Sequence, residues 1–146
     1  MLRKLINIFK NPDEMKNQIK IQDEVIVHYI KSGHTIKTLH LKGHTWTTTG
    51  LSAIRNALHT GNLNAPNSFS TDGSPTSFVP ANWYDTGNNK VAAWKGTFGS
   101  GSISNITAFR LCYNDSIYAT IHVAEGFNKI YDSTIELLWR TTISPG

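Results

Sequence analysis

A chain of 146 residues, 39% apolar and 16% charged, has the length and composition to bury a core without disulfides or a structural metal. No apolar run approaches the about 18 residues that a membrane-spanning helix needs. The single cysteine, Cys112, excludes an internal disulfide and any Cys-pair metal site, and the role expected of it is that of a small buried hydrophobe. The net charge of +4 is placed unevenly: Arg3, Lys4, Lys10, Lys16, Lys20, Lys31, Lys37 and Lys42 face only Asp13, Glu14, Asp23 and Glu24 in the same stretch. A basic end of this kind suits nucleic acid, anionic lipid or an acidic protein face, and charge alone does not choose among them.

Leu2, Leu5, Ile6 and Phe9 recur at helical spacing with Arg3, Lys4 and Lys10 between them, which predicts a short amphipathic N-terminal helix that docks on a neighbour. Asn11-Pro12 ends this segment before a signal-peptide core develops, so a protein made in the cytoplasm without a secretion signal is expected. Asn11-Pro12-Asp13-Glu14 then reads as the start of a second short helix, and residues 1–18 as an arm. From Ile19 the period becomes two. Ile19, Ile21, Val25, Val27 and Tyr29 share one parity, and Lys20, Gln22, Glu24 and His28 the other. Ser32-Gly33 turns the chain into a second strand, in which the opposite parities of Ile36 and Leu39 require a bulge or burial on both faces.

Thr47-Thr48-Thr49-Gly50 offers hydroxyl caps to a helix whose stripe is Leu51, Ile54, Ala57 and Leu58, and Gly61 can close it. Residues 61–90, rich in Asn, Ser, Gly and Pro, read as a long functional loop carrying Phe69, Phe78, Trp83 and Tyr84. Strands resume at residues 91–98, 106–113, 117–123 and 134–143, with Asn114-Asp115 as a hairpin turn. The expected fold is mainly β: residues 19–146 as one antiparallel β-sandwich, immunoglobulin-like or jelly-roll-like, with one short central helix and a short N-terminal helix.

Little in the chain points to chemistry. His40 and His44 share a strand face but have no completing Cys or carboxylate pair, so no metal is expected. The run from Gly96 to Ser102 lacks the Gly-Lys-Ser/Thr ending of a phosphate loop and reads as a turn between strands. Asp85, Asp115, Glu125, Asp132 and Glu136 offer no pair with a reason to differ in pKa, so neither catalysis nor a cofactor is expected. Trp83, Tyr84 and Trp94 near the long loop are candidates for a sugar-stacking platform, although aromatic residues in β domains more often fill cores and interfaces. The basic arm lacks the interleaved aromatics and the second helix of nucleic-acid readers, so no specific nucleic-acid partner is expected.

Two stretches resemble a family of small proteins encoded among the virion genes of tailed bacteriophages and archaeal tailed viruses. The first runs from Gly43-His44-Thr45-Trp46 through Thr49-Gly50-Leu51 to Ala57-Leu58, a strand, a Thr-Gly-Leu corner and a short Ile/Leu helix. The second comprises Gly96-Thr97-Phe98, Ile103-Ser104-Asn105-Ile106, Phe109-Arg110-Leu111-Cys112, Ser116-Ile117-Tyr118-Ala119-Thr120 and the terminal strand from Thr134 to Ile143 with its Trp139. The resemblance covers about two thirds of the chain and carries no active-site residues. It departs at residues 61–90, where the family has an alternating strand ending in Gly-Thr-Gly, and at the N-terminal arm. It implies a non-enzymatic virion protein, decorating a capsid or belonging to a tail or fibre. Its partners would be other virion proteins and copies of itself; the candidate interface, read from the amphipathic arm and the aromatic loop and not from the resemblance, is Leu2, Leu5, Ile6, Phe9, Phe69, Phe78, Trp83 and Tyr84. A carbohydrate- or receptor-binding module is the alternative expectation.

Overall fold

The computed structural model describes residues 19–43, 46–61 and 64–145. The expected arm, with Leu2, Leu5, Ile6 and Phe9, lies outside the described residues, as does His44. The elements are β1 (Ile19–Lys31), β2 (His34–Gly43), α1 (Thr48–Thr60), β3 (Ser68–Thr71), β4 (Phe78–Pro80), β5 (Asn82–Tyr84), β6 (Val91–Phe98), β7 (Ile103–Tyr113), β8 (Ser116–Lys129) and β9 (Ser133–Pro145). They form two antiparallel sheets, ordered β2-β1-β9-β6-β5 and β4-β3-β7-β8. The inward parities of both sheets meet in a hydrophobic core built from Val25, Val27, Phe69, Phe98, Phe109, Leu111, Ile135, Leu137 and Trp139, among others. The mainly β sandwich with one short helix expected from the alternation is the fold observed.

Local rules account for most of the elements. Ser32 (φ 53°) and Gly33 (φ 74°) both lie in the left-handed region and join Lys31 to His34 in a two-residue hairpin turn, whose twist matches that of the strands. Tyr29 pairs with Lys37 but Ile30 pairs with Thr35, so Ile36 is the bulged residue. That slip turns Leu39 and Leu41 toward the core and leaves Ile36 exposed, which resolves their opposite parities. Thr47 caps α1 by accepting from the Gly50 N–H at 3.0 Å. The same hydroxyl donates to the Ile117 carbonyl at 2.7 Å, pinning the helix start to β8. Gly61, in the left-handed conformation, closes the helix by donating its N–H to the Ala57 carbonyl at 2.9 Å. Only the first turn is well covered: Leu51 is buried, whereas Leu58 is 76% exposed.

Residues 61–90 are not the long loop that their composition predicts. They contain β3, which pairs with β7 (Phe69 opposite Leu111), β4, which pairs with β3, and β5, which pairs with β6. The chain crosses from one sheet to the other at Ala81. Gly96 permits the crossing, because a Cβ there would stand 2.3 Å from the Pro80 carbonyl oxygen. Strands of three or four residues hold too few positions to display an alternation, and Pro80 is tolerated because it sits on an edge strand.

The most connected buried polar group is Asp23, on the inward parity of β1 and 2% exposed. Its Oδ1 accepts hydrogen bonds from Trp46 Nε1 at 3.2 Å, Trp139 Nε1 at 3.0 Å and Thr141 Oγ1 at 2.6 Å. One oxygen thereby fixes β1, β9 and the segment that leads into α1. Replacing Asp23 by Ala strands three buried donors, and urea unfolding should show a loss of about 3 kcal/mol or more. Asp23→Asn keeps an acceptor oxygen and should lose clearly less. Equal stability of wild type and Asp23→Ala would refute this central role.

Candidate interaction face

The aromatic residues expected to form one interface are separated by the fold. Phe69 belongs to the core, fully buried and stacked on Trp139 with ring centroids 6.2 Å apart. It is therefore no partner contact: it lies on the inward parity of β3, which sequence reading placed in a loop. Phe78, on β4, is 48% exposed, and Trp83, on β5, is 68% exposed. Tyr84 follows Trp83 along the same strand and so projects from the opposite face of the sheet. Trp83 and Tyr84 therefore cannot make one stacking platform.

Trp83 is the outermost of a cross-strand row, paired with Trp94, which is paired in turn with Trp139. Trp46 and Trp139 converge on Asp23, so the four tryptophans of the chain gather at one end of the sandwich. There Trp46, Trp83, Trp94, Ile54, Tyr118 and Ile143 wall an apolar cavity of about 240 Å³ beneath α1. Its surroundings stay apolar at the surface, since Ile143, like Trp83, is exposed.

Tyr84 belongs to the other surface, the outer face of the five-stranded sheet. There Glu24 accepts from His40 Nε2 at 2.9 Å and lies 3.9 Å from Arg140 Nη1, while Arg140 Nε donates to the Tyr84 hydroxyl at 3.4 Å. Lys95 Nζ sits 5.7 Å from the centroid of the Tyr84 ring. The hydrogen bond to Tyr84, with the nearby Glu24 carboxylate, holds the Arg140 guanidinium above its already high ordinary pKa. This polar network borders a shallow trough of about 710 Å³ that also takes in Gln22, Lys42 and Thr142.

The remaining polar groups hold the fold. Among the described residues, no three His, Cys, Asp or Glu side chains are grouped to hold a metal ion. Residues 99–102 turn from β6 directly into β7, and the buried Lys129 donates to the Gly101 carbonyl there. Burial pushes the Lys129 ammonium below its ordinary pKa. Cys112 is fully buried, 3.5 Å from Ser70 Oγ, and burial pushes its thiol up, which leaves it a poor nucleophile. Asp72 receives hydrogen bonds from the Thr107 hydroxyl, the Thr107 N–H at 2.8 Å and the Ala108 N–H at 2.9 Å.

Sequence reading missed Asp23, Asp72 and Lys129. A signal existed for Asp23 alone: it is the charged residue on the apolar parity of β1, directly opposite Thr141 on β9. No family model, curated protein or solved structure matches this chain.

Burial alone would raise the Asp72 pKa, but the hydrogen bonds from Thr107 and Ala108 outweigh it, and the net shift is downward. A carboxyl group depressed in the folded state stabilises the protein above its unfolded pKa, and that contribution is lost as pH falls through the folded value. Asp72→Ala should therefore cost about 1–2 kcal/mol at neutral pH. Paired urea titrations of wild type and variant should converge below pH 3.8, the ordinary value of this group. A gap that persists undiminished in acid would contradict the assignment.

Proposed function

We propose that this chain is a non-enzymatic structural component of a tailed-virus particle, decorating the capsid or associated with the tail or its fibres, that works through protein–protein contacts, including contacts with copies of itself. The observation that carries the assembly reading is the β4–β5 side of the sandwich. Each sheet ends there in a three-residue strand paired on one side only, and these two strands carry the exposed Phe78 and Trp83. Unpaired strand edges beside exposed aromatic side chains favour association. The opposite edge is guarded: β2 is bulged at Ile36, and Lys37 turns over the Phe127 ring at 4.9 Å, both of which oppose strand addition. The tailed-virus part of the reading rests on the resemblance in the strand–corner–helix segment and the C-terminal strands.

A carbohydrate- or receptor-binding role is the second reading, favoured by the outer-face trough lined by Arg140 and Glu24, with Tyr84 bonded to Arg140 beside it, rather than by Trp83. The two readings separate in one comparison. Phe78→Ser/Trp83→Ser should lower the solution mass measured by light scattering, or abolish incorporation into particles, while thermal unfolding stays within a few degrees of wild type. Unchanged mass and incorporation, together with selective binding on a glycan array that Tyr84→Ala removes, would replace assembly with sugar recognition.

A further inference from the structure

We propose that the outer-face trough binds an acidic sugar, whose carboxylate the Arg140 guanidinium receives while the uncharged lining holds its hydroxyl groups. The inference rests on the second reading, that this trough takes a carbohydrate, and names the class of sugar. It uses neither Phe78 nor Trp83.

Strand register builds the floor. Lys42, Glu24, Arg140, Ala93 and Tyr84 form one row across the five-stranded sheet, and Gln22, Thr142 and Val91 form the next. Ala93 is small and fully buried, so the side chains of Arg140 and Tyr84 on either side of it can meet. One wall is the loop between β5 and β6, which brings Thr86 and Asn88 into the lining. Its own side chains order that loop: the Gly87 N–H donates to Asp85 Oδ1 at 2.9 Å, and the Lys90 N–H to Asn88 Oδ1 at 2.9 Å. The Ile143 N–H fastens it to β9 by donating to the Lys90 carbonyl at 2.9 Å. The concavity is thus preformed, and its volume of about 710 Å³ falls within the range of about 300–1,000 Å³ usual for small-ligand sites.

The lining selects the ligand class. Val91 is its one apolar side chain, which disfavours a lipid or the apolar centre of a protein interface. The amide and hydroxyl groups of Gln22, Thr86, Asn88 and Thr142 offer the mixed donors and acceptors that sugar hydroxyls need. Asp23 keeps its carboxylate in the core, so the charges of the lining are the cations Lys42 and Arg140 against Glu24, and Glu24 is already engaged by His40. The surplus is positive and selects an anion, while two cations are too few to track a nucleic-acid backbone. Arg140 presents the planar fork that suits a carboxylate. Its Nε is bonded to Tyr84 and its Nη1 lies toward Glu24, so Nη2 takes part in neither contact.

The test titrates the ¹⁵N-labelled full chain with glucuronate and galacturonate, and with glucose and galactose as their neutral counterparts, following the backbone amide signals of Gln22, Thr86, Asn88 and Thr142. A uronate should shift these signals with an affinity about tenfold or more above its neutral counterpart, as a charge-assisted hydrogen bond provides. Arg140→Gln should bring that ratio close to one. Lys42→Gln, an exposed position outside the Asp23 cluster, should lower it and keeps the test readable if Arg140→Gln does not fold. An unmoved Trp139 indole signal reports an intact core in each variant. Equal binding of acidic and neutral sugars overturns the acidic class and leaves the carbohydrate reading standing, whereas no shift with any of the four sugars overturns both. Acetate that reproduces the uronate shifts at the same concentration also overturns the proposal, because a bare carboxylate would then suffice.

Discussion

Asp23 Oδ1 is the point on which the arrangement of this sandwich depends. A carboxyl group on the inward face of a strand is costly unless its oxygens find donors, and here two indole N–H groups and a threonine hydroxyl converge on one of them. The donors come from two places in the chain order. Trp139 and Thr141 lie two residues apart on β9, which sets the register of β9 against β1. Trp46 precedes α1 and bridges Ala119 of β8, so the same oxygen helps to tie the five-stranded sheet to the helix and to the other sheet. A small polar cluster of this kind works against slipped registers, because a one-residue shift would carry Thr141 and Trp139 to the wrong face and leave Asp23 buried without them.

The tryptophan cavity follows from that arrangement. With Trp46 and Trp139 held by Asp23, the row continues from Trp139 to Trp94 and Trp83, which wall the cavity together with Gly50, Ala53 and Ile54 of α1, and the helix start is pinned to β8 through Thr47. The two sides of the sandwich also differ in kind. One ends in long strands protected by a bulge and an inward lysine, the other in two very short strands that carry Phe78 and Trp83. This asymmetry sets the β4–β5 side, with its exposed Phe78 and Trp83, apart from the β2 edge.

Ionisable side chains illustrate the same economy. Asp72 ties the β3 end to β7, and Lys129 closes the turn between β6 and β7. The outer-face chain of His40, Glu24, Arg140 and Tyr84 spans the five-stranded sheet. Each is satisfied by neighbours within the fold, an arrangement suited to rigidity.

The sequence by itself determined the elements whose signals are local. The alternation of β1, β8 and β9, the Ser32-Gly33 and Asn114-Asp115 turns and the Thr47 and Gly61 ends of α1 all follow from parity, turn chemistry and capping within a few residues, whereas the parities of Ile36 and Leu39 left a bulge and two-faced burial open until the register placed the bulge at Ile36. Only the tertiary structure decided the rest. The segment from residue 61 to residue 90 holds strands because β7 and β6 offer edges to pair with, a condition that no window of three residues can encode. The same pairing sends Phe69 into the core and places Trp83 and Tyr84 on opposite faces. The tryptophan cavity and the donor set of Asp23 likewise join residues separated by up to 118 positions, and such proximity arises only when the two sheets close on each other.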